Sequence, residues 1–397
     1  MKKIGMNKTA PEKKYTGRQM IGAVILTLVL TLTGGLIALF ALLGHDGMAV
    51  AEGFALTRLL FVGEADLKTA ADDALFTMVD HTGDRWSYYL DEDWNKSNQM
   101  YTANQTKGIG VRIIAMEEGL LVADVVPEGG ADQAGIQRGE YLVAVEGMPL
   151  CGEDQWTNKD LIGGEAGTEV TLTVRSELGE EREVRALRGT WFDPPARGSM
   201  LQGEIGYVRL FNFNDGAKDA FCAEVEALLE EGAAGLIFDM RQNGGGYVTE
   251  LTEILDYLLP EGVVFRQKTS WGWSFTKKSD ASCIDLPMAV LVDENSYSAA
   301  ELFAAQLRES VGAYIVGEHT SGKGYFQYPF PLSNGGSLAL SIGTYTTGNG
   351  ASLSGVGLEP DKIVSLTEEE DAWLSARWLS AEEDPVLLEA LWHLLGV

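Results

Sequence analysis

The sequence predicts a layered α/β core preceded by a small β-rich module, a helical segment and one membrane-spanning helix. Three observations carry this expectation: an uncharged stretch at 19–44, short β runs between about 107 and 188, and strands alternating with helices from 203 to about 365. With 397 residues and 45% apolar composition, the chain has material for two or three globular units.

The first element is the apolar one. Lys2, Lys3, Lys8, Lys13, Lys14 and Arg18 stand against Glu12 alone, and QMIGAVILTLVLTLTGGLIALFALLG follows without a charge. At about 1.5 Å rise per residue this stretch can cross a hydrocarbon core of about 30 Å. A cleaved signal peptide also starts basic, but its apolar region is usually about 7–15 residues, so an uncleaved anchor is expected at 20–44. Basic flanks stay on the cytoplasmic side, which puts the tail 1–19 in the cytoplasm and everything beyond the cell-membrane span outside it. The formal charge of −28 excludes nucleic acid as a partner, and the strongly acidic outer portion is not a surface suited to lying on anionic lipid.

Helical spacing from 45 to 100 ends in the aromatic-rich turn GDRWSYYLDEDW. From 101 to 190 the runs GLLVADVV, EYLVAVEG and EVTLTVRS, separated by glycine-rich turns, predict the β-rich module. Between 191 and 366, IGYVRLFNF, GLIFDM, MAVLVD and YIVGE alternate with helical stretches, which predicts a largely parallel sheet. Two short amphipathic helices are expected at 367–397. Cys151, Cys222 and Cys283 are too far apart for metal spacing and are expected to be free buried thiols; the four scattered histidines form no ligand pair, so no metal or other cofactor is expected.

Three glycine- or serine-bearing turns follow core strands. In DENSYSAAELFAAQL, Ser298 stands where a strand gives way to a helix, with helix-start N–H groups available to an oxyanion. The same position suits an N-cap serine, and Glu301 completes a capping box. Lys323 lies in the glycine-flanked turn GEHTSGKGYFQ, where it is a surface charge unless burial lowers its pKa enough to make it a base. The cluster RQNGGGYV places Asn243 to Gly246 in a third turn without the pattern of a phosphate loop.

Together these segments resemble the C-terminal processing peptidases, the tail-specific Ser/Lys proteases of peptidase family S41. ENSYSAAE is similar to their nucleophile segment SASASE, GEHTSGKGYFQ to GxxTxGKGxxQ, GLIFDMRQNGGG to DLRxNPGG, GVGLEPD to GxGxxPD and GDRWSYYL to GDPYSxYL. The resemblance implies a crotonase-like layered core with Ser298 as nucleophile, Lys323 as general base and Gln327 orienting it. It also implies an oxyanion hole formed by the N–H groups of Gly245 and Ala299. Ser296 becomes a turn residue and His319 a loop histidine.

The β-rich segment looks like a PDZ domain, with GIGVRI at 108–113 as its carboxylate loop. Gly108, Ile109, Gly110 and Val111 would then receive a substrate's terminal carboxylate while the peptide adds a strand. This sequence departs from the family at Gly244, where proline is common, at Ala300, and at Gly163, where many relatives carry an arginine that couples the module to the catalytic site. The implied protein is a membrane-anchored extracytoplasmic serine endopeptidase acting on proteins or peptides with free C-termini, without cofactor or metal. Its membrane-proximal and C-terminal helices would support a homodimer. The alternative is a catalytically silent PDZ adaptor; a crotonase-like thioester enzyme would share the core layout but not the PDZ-like insertion.

Overall fold

The computed structural model of the protein describes residues 16–150 and 161–397. The basic residues before Thr16, and Cys151, lie outside the described residues. The chain divides into two units, Met1–Thr77 and Met78–Val397.

In the first unit a helix runs over Gly17–Leu60. Thr16 and Gln19 form a reciprocal capping box, with Thr16 N–H donating to Gln19 Oε1 at 2.9 Å and Gln19 N–H to Thr16 Oγ1 at 3.4 Å. None of its residues is buried by protein, and the helix is long and apolar enough to cross a membrane. The helix does not end with the apolar stretch. It kinks at Gly44, which takes φ +64°, and continues to Leu60. A second helix, Leu67–Asp80, follows a non-helical stretch at 61–66.

The second unit is built on a six-stranded sheet ordered Ala196–Leu201, Ile205–Leu210, Gly235–Asp239, Met288–Val292, Tyr314–Gly317 and Lys362–Ile363. Only the first pair is antiparallel. Alternate side chains point to opposite faces, and both faces are covered. Leu236 and Phe238 pack with helices Ala217–Glu230, Val248–Leu258 and Ala299–Val311. Ile237, Ala289 and Leu291 pack with the final helix, Pro385–Leu395. The C-terminal segment is therefore part of the core rather than an appended tail.

A second, antiparallel sheet was not expected from the strand–helix alternation. It joins Tyr88–Leu90, Ser337–Thr346, Gly262–Thr269 and Ser274–Ser279 in that order, with Tyr325–Pro331 on Ser337–Thr346. Prolines 329 and 331 fit because their strand pairs on one side only, so the missing N–H groups need no partner. The aromatic-rich turn after residue 83 thus supplies a strand to this sheet.

The β-rich module has its own core, which includes Ile109, Leu120, Val122, Leu142, Val170 and Leu172. A ribbon of Gln105–Gly108 with Gly189–Phe192 closes its base, so the chain enters and leaves the module at one place. The helix Glu92–Thr102 and this ribbon run past the expected boundaries at 100 and 190. Arg377 ties the module to the remainder, reaching Asp124 at 3.0 Å and Asp193 at 2.9 Å.

Candidate functional site

Three turns meet because their strands are neighbours. Gly235–Asp239, Met288–Val292 and Tyr314–Gly317 lie side by side and parallel, so the turns after their C-terminal ends are brought together. Ligands bind at this end of an open parallel sheet. Ser298, Ala299, Gly245, Lys323 and Gln327 all line one cleft of about 770 Å³.

Ser298 precedes the helix Ala299–Val311 with φ 62° and ψ −118°, a conformation that costs a non-glycine residue about 1–3 kcal/mol. Ala299 is the first helical residue, so its N–H is one of the four with no intrahelical acceptor. The neighbouring turn comes close enough that a Cβ on Gly245 would meet Ser298 Cβ at 2.8 Å and Ala299 N at 2.9 Å. Glycine is required there. The Gly245 N–H itself donates to Asn243 Oδ1 at 2.8 Å, so in this structure that donor is engaged within its own turn.

Lys323 is half-buried, and burial lowers its pKa to about 8 against the opposing influence of Asp84 and Glu301. Its Nζ stands 5.0 Å from the centre of the Trp86 ring and 5.5 Å from that of Tyr297, with no hydrogen bond or ion pair among the described residues. Gln327 reaches the cleft, but its Nε2 donates to Ser341 Oγ at 2.9 Å and Tyr325 O at 3.1 Å rather than engaging Lys323.

The group holding serine and lysine turns together is Glu301, which is fully buried. One carboxylate oxygen accepts from Ser298 N at 3.0 Å and Lys323 N at 2.9 Å; the other accepts from Thr320 Oγ1 at 2.5 Å and Gly322 N at 2.7 Å. Burial pushes its pKa up, while these four donors pull it down. Thr320 in turn accepts from Leu358 N at 2.8 Å, and Gly355 N donates to Gly322 O at 2.9 Å, which draws the GVGLEPD segment against the lysine turn. Glu301 had signalled itself only as a local cap; its long-range bonds have no sequence signature. Trp86 and Tyr297, which flank the lysine, had none either.

Other candidates fall elsewhere. Ser296 is wholly buried, 2.8 Å from Met240 O and 3.0 Å from Asp293 Oδ1, as a turn residue. His319 is half-exposed, 3.7 Å from Glu359. Gly108, Ile109, Gly110 and Val111 do not line the cleft. They join strands Gln105–Gly108 and Val111–Met116, with Ile109 O accepting from Ala131 N at 2.7 Å and Gly110 O from Val126 N at 2.9 Å. Cys222 is buried, its pKa raised to about 11 by burial, whereas Cys283 is exposed, which corrects the expectation of buried thiols throughout. Among the described residues no group of three or more His, Cys, Asp or Glu could hold a metal ion.

Residues 204–364 match the model of peptidase family S41. Carboxyl-terminal-processing peptidase 1, chloroplastic, of Arabidopsis thaliana is 29% identical over 308 residues, covering 74% of this chain and 62% of that protein. The carboxy-terminal processing protease of Bacillus subtilis is 25% identical over 299 residues, covering 75% of this chain and 64% of its own length. The chain thus spans less than two thirds of the length of these two relatives. A Bacteroides fragilis protein assigned to the S41 proteases has a similar fold, with a TM-score of 0.59 at 17% identity over 80% of this chain and 87% of that one.

Proposed function

This chain carries a peptidase family S41 domain and is a relative of the carboxy-terminal processing proteases; from that premise we propose that it is a Ser/Lys endopeptidase. The observation that carries the reading is the pairing of a strained serine with a half-buried lysine of lowered pKa on one cleft, both anchored by Glu301.

In this mechanism neutral Lys323 accepts the Ser298 hydroxyl proton as Oγ attacks the substrate carbonyl. The developing oxyanion is met by the Ala299 N–H and by Gly245 once its amide leaves Asn243. The lysine ammonium returns the proton to the departing amine, leaving an acyl-enzyme. Water, deprotonated by the same lysine, then releases the acyl product and restores Ser298. Lys323 must approach Ser298 for the first transfer, and Gln327 must turn from Ser341 to orient it; such bonds commonly tighten only when substrate is bound.

The β-rich module serves, in this reading, as a PDZ-type domain whose 108–111 loop receives a protein C-terminus. The sheet layers correspond to a crotonase-like core, and the apolar helix acts as a single-pass anchor holding the proteolytic unit outside the cytoplasm, alone or as a homodimer.

The test is cleavage of an unfolded protein by the full chain in detergent, comparing wild type with Ser298→Ala and Lys323→Ala by mass spectrometry. Loss of cleavage in both variants, with capture of a free C-terminal peptide retained, supports the reading. Wild-type activity in either variant overturns it. Capture that survives without any wild-type cleavage favours the silent adaptor. Amidating the peptide's terminal carboxylate should weaken capture, and unchanged capture rejects the loop assignment.

A further inference from the structure

Net charge conceals a local exception. Within a chain of formal charge −28, residues 266–278 contain Arg266, Lys268, Lys277 and Lys278 and no acidic residue. They form most of the hairpin Gly262–Thr269/Ser274–Ser279, whose second strand is the edge of the antiparallel sheet. At the tip, where Gly272 takes φ +91°, Trp271 is 67% exposed, Trp273 53% and Phe275 38%. Trp273 and Phe275 stack with centroids 6.1 Å apart. Lys268, Lys277 and Lys278 make no ion pair among the described residues. The nearest acids in sequence, Glu261 and Asp280, flank the base, where Gly262 pairs with Ser279.

We propose that this basic, aromatic hairpin is a peripheral docking element for an anionic lipid surface. Two exposed indoles beside uncompensated lysines suit an anionic headgroup region, where amphipathic rings reside and basic side chains are attracted to negatively charged lipid. A bilayer is the occupant favoured over a protein because the chain also contains a helix long and apolar enough to enter one, which would hold the hairpin at high effective concentration near lipid. The exposed tip contributes nothing to the buried core, which leaves it available for such a contact.

The nine tryptophans make the proposal testable, because none lies in the helix Gly17–Leu60. The full chain reconstituted in vesicles containing brominated phosphatidylglycerol should show quenched tryptophan fluorescence. Quenching should fall sharply in Trp271→Ser/Trp273→Ser and in Lys277→Glu/Lys278→Glu. Each lysine near an anionic surface is worth about a fivefold change in the docked-to-undocked ratio. Raised salt or brominated phosphatidylcholine should also weaken quenching. Near-ultraviolet circular dichroism and peptidase activity on a short soluble peptide check that the variants remain folded. Absence of wild-type quenching, or equal quenching in folded variants, overturns the proposal. A lipid-independent fluorescence change that depends on protein concentration assigns the tip to self-association instead and also overturns it.

Discussion

At the scale of single residues, the proposed mechanism makes Lys323 the group that sets the pH dependence. Only its neutral amine can take the serine proton, so activity should rise as pH passes through about 8 and level off above, read from kcat/KM across pH. The stability effect has its own sign. A lysine whose folded pKa falls from the ordinary 10.5 to about 8 binds fewer protons folded than unfolded between those values. Its destabilising influence is complete below about pH 8 and fades as pH rises towards 10.5. Lys323→Met should therefore raise folding stability near pH 7 by about 1–3 kcal/mol while abolishing activity, measured by urea denaturation. Glu301→Ala should do the reverse to stability. It leaves four donors without their buried acceptor, each costing about 1–3 kcal/mol before water or rearrangement compensates, so a large loss of stability and activity is expected together.

At the scale of elements, the turn Asn243 to Gly246 is fixed by closeness rather than by bonds alone. Gly245→Ala places a methyl against Ser298 Cβ and forces an unfavourable φ of +85°, so activity should fall by at least about tenfold. Assaying kcat alongside the midpoint of unfolding separates the site effect from general damage. The parallel strands were legible because each is a short apolar run next to a helical period, as in GLIFDM and MAVLVD. The turns after them were legible for their glycines and serine. The antiparallel sheet was not: Tyr325–Pro331 carries two prolines and is largely exposed, and Tyr88–Leu90 pairs with a strand far away in sequence. Neither leaves a periodic pattern in the chain. The position of Gln327 depends on those pairings, and the long-range bonds of Glu301 depend on Met288–Val292 lying beside Tyr314–Gly317, which is why sequence could name the first without its observed partner and the second only as a cap.

At the scale of the whole second unit, buried ion pairs join distant segments. Fully buried Arg241 donates to Asp239 at 2.7 Å and to Asp384, the N-cap of the final helix, at 2.6 Å. Arg241→Met leaves both carboxylates uncompensated and should cost about 3–5 kcal/mol in a urea melt. Arg377→Ala should instead leave the core intact and loosen the β-rich module, seen as faster amide exchange at 105–192. The shared carboxylate of Glu301 carries a different kind of consequence. Because the amides of Ser298, Gly322 and Lys323 all close on it, they are expected to open together as one cooperative unit. Their hydrogen exchange should share a single rate and temperature dependence. Warming would then switch individual molecules from competent to incompetent rather than weakening each by degrees, and the fraction still open to substrate would report a population, not a gradual decay of geometry.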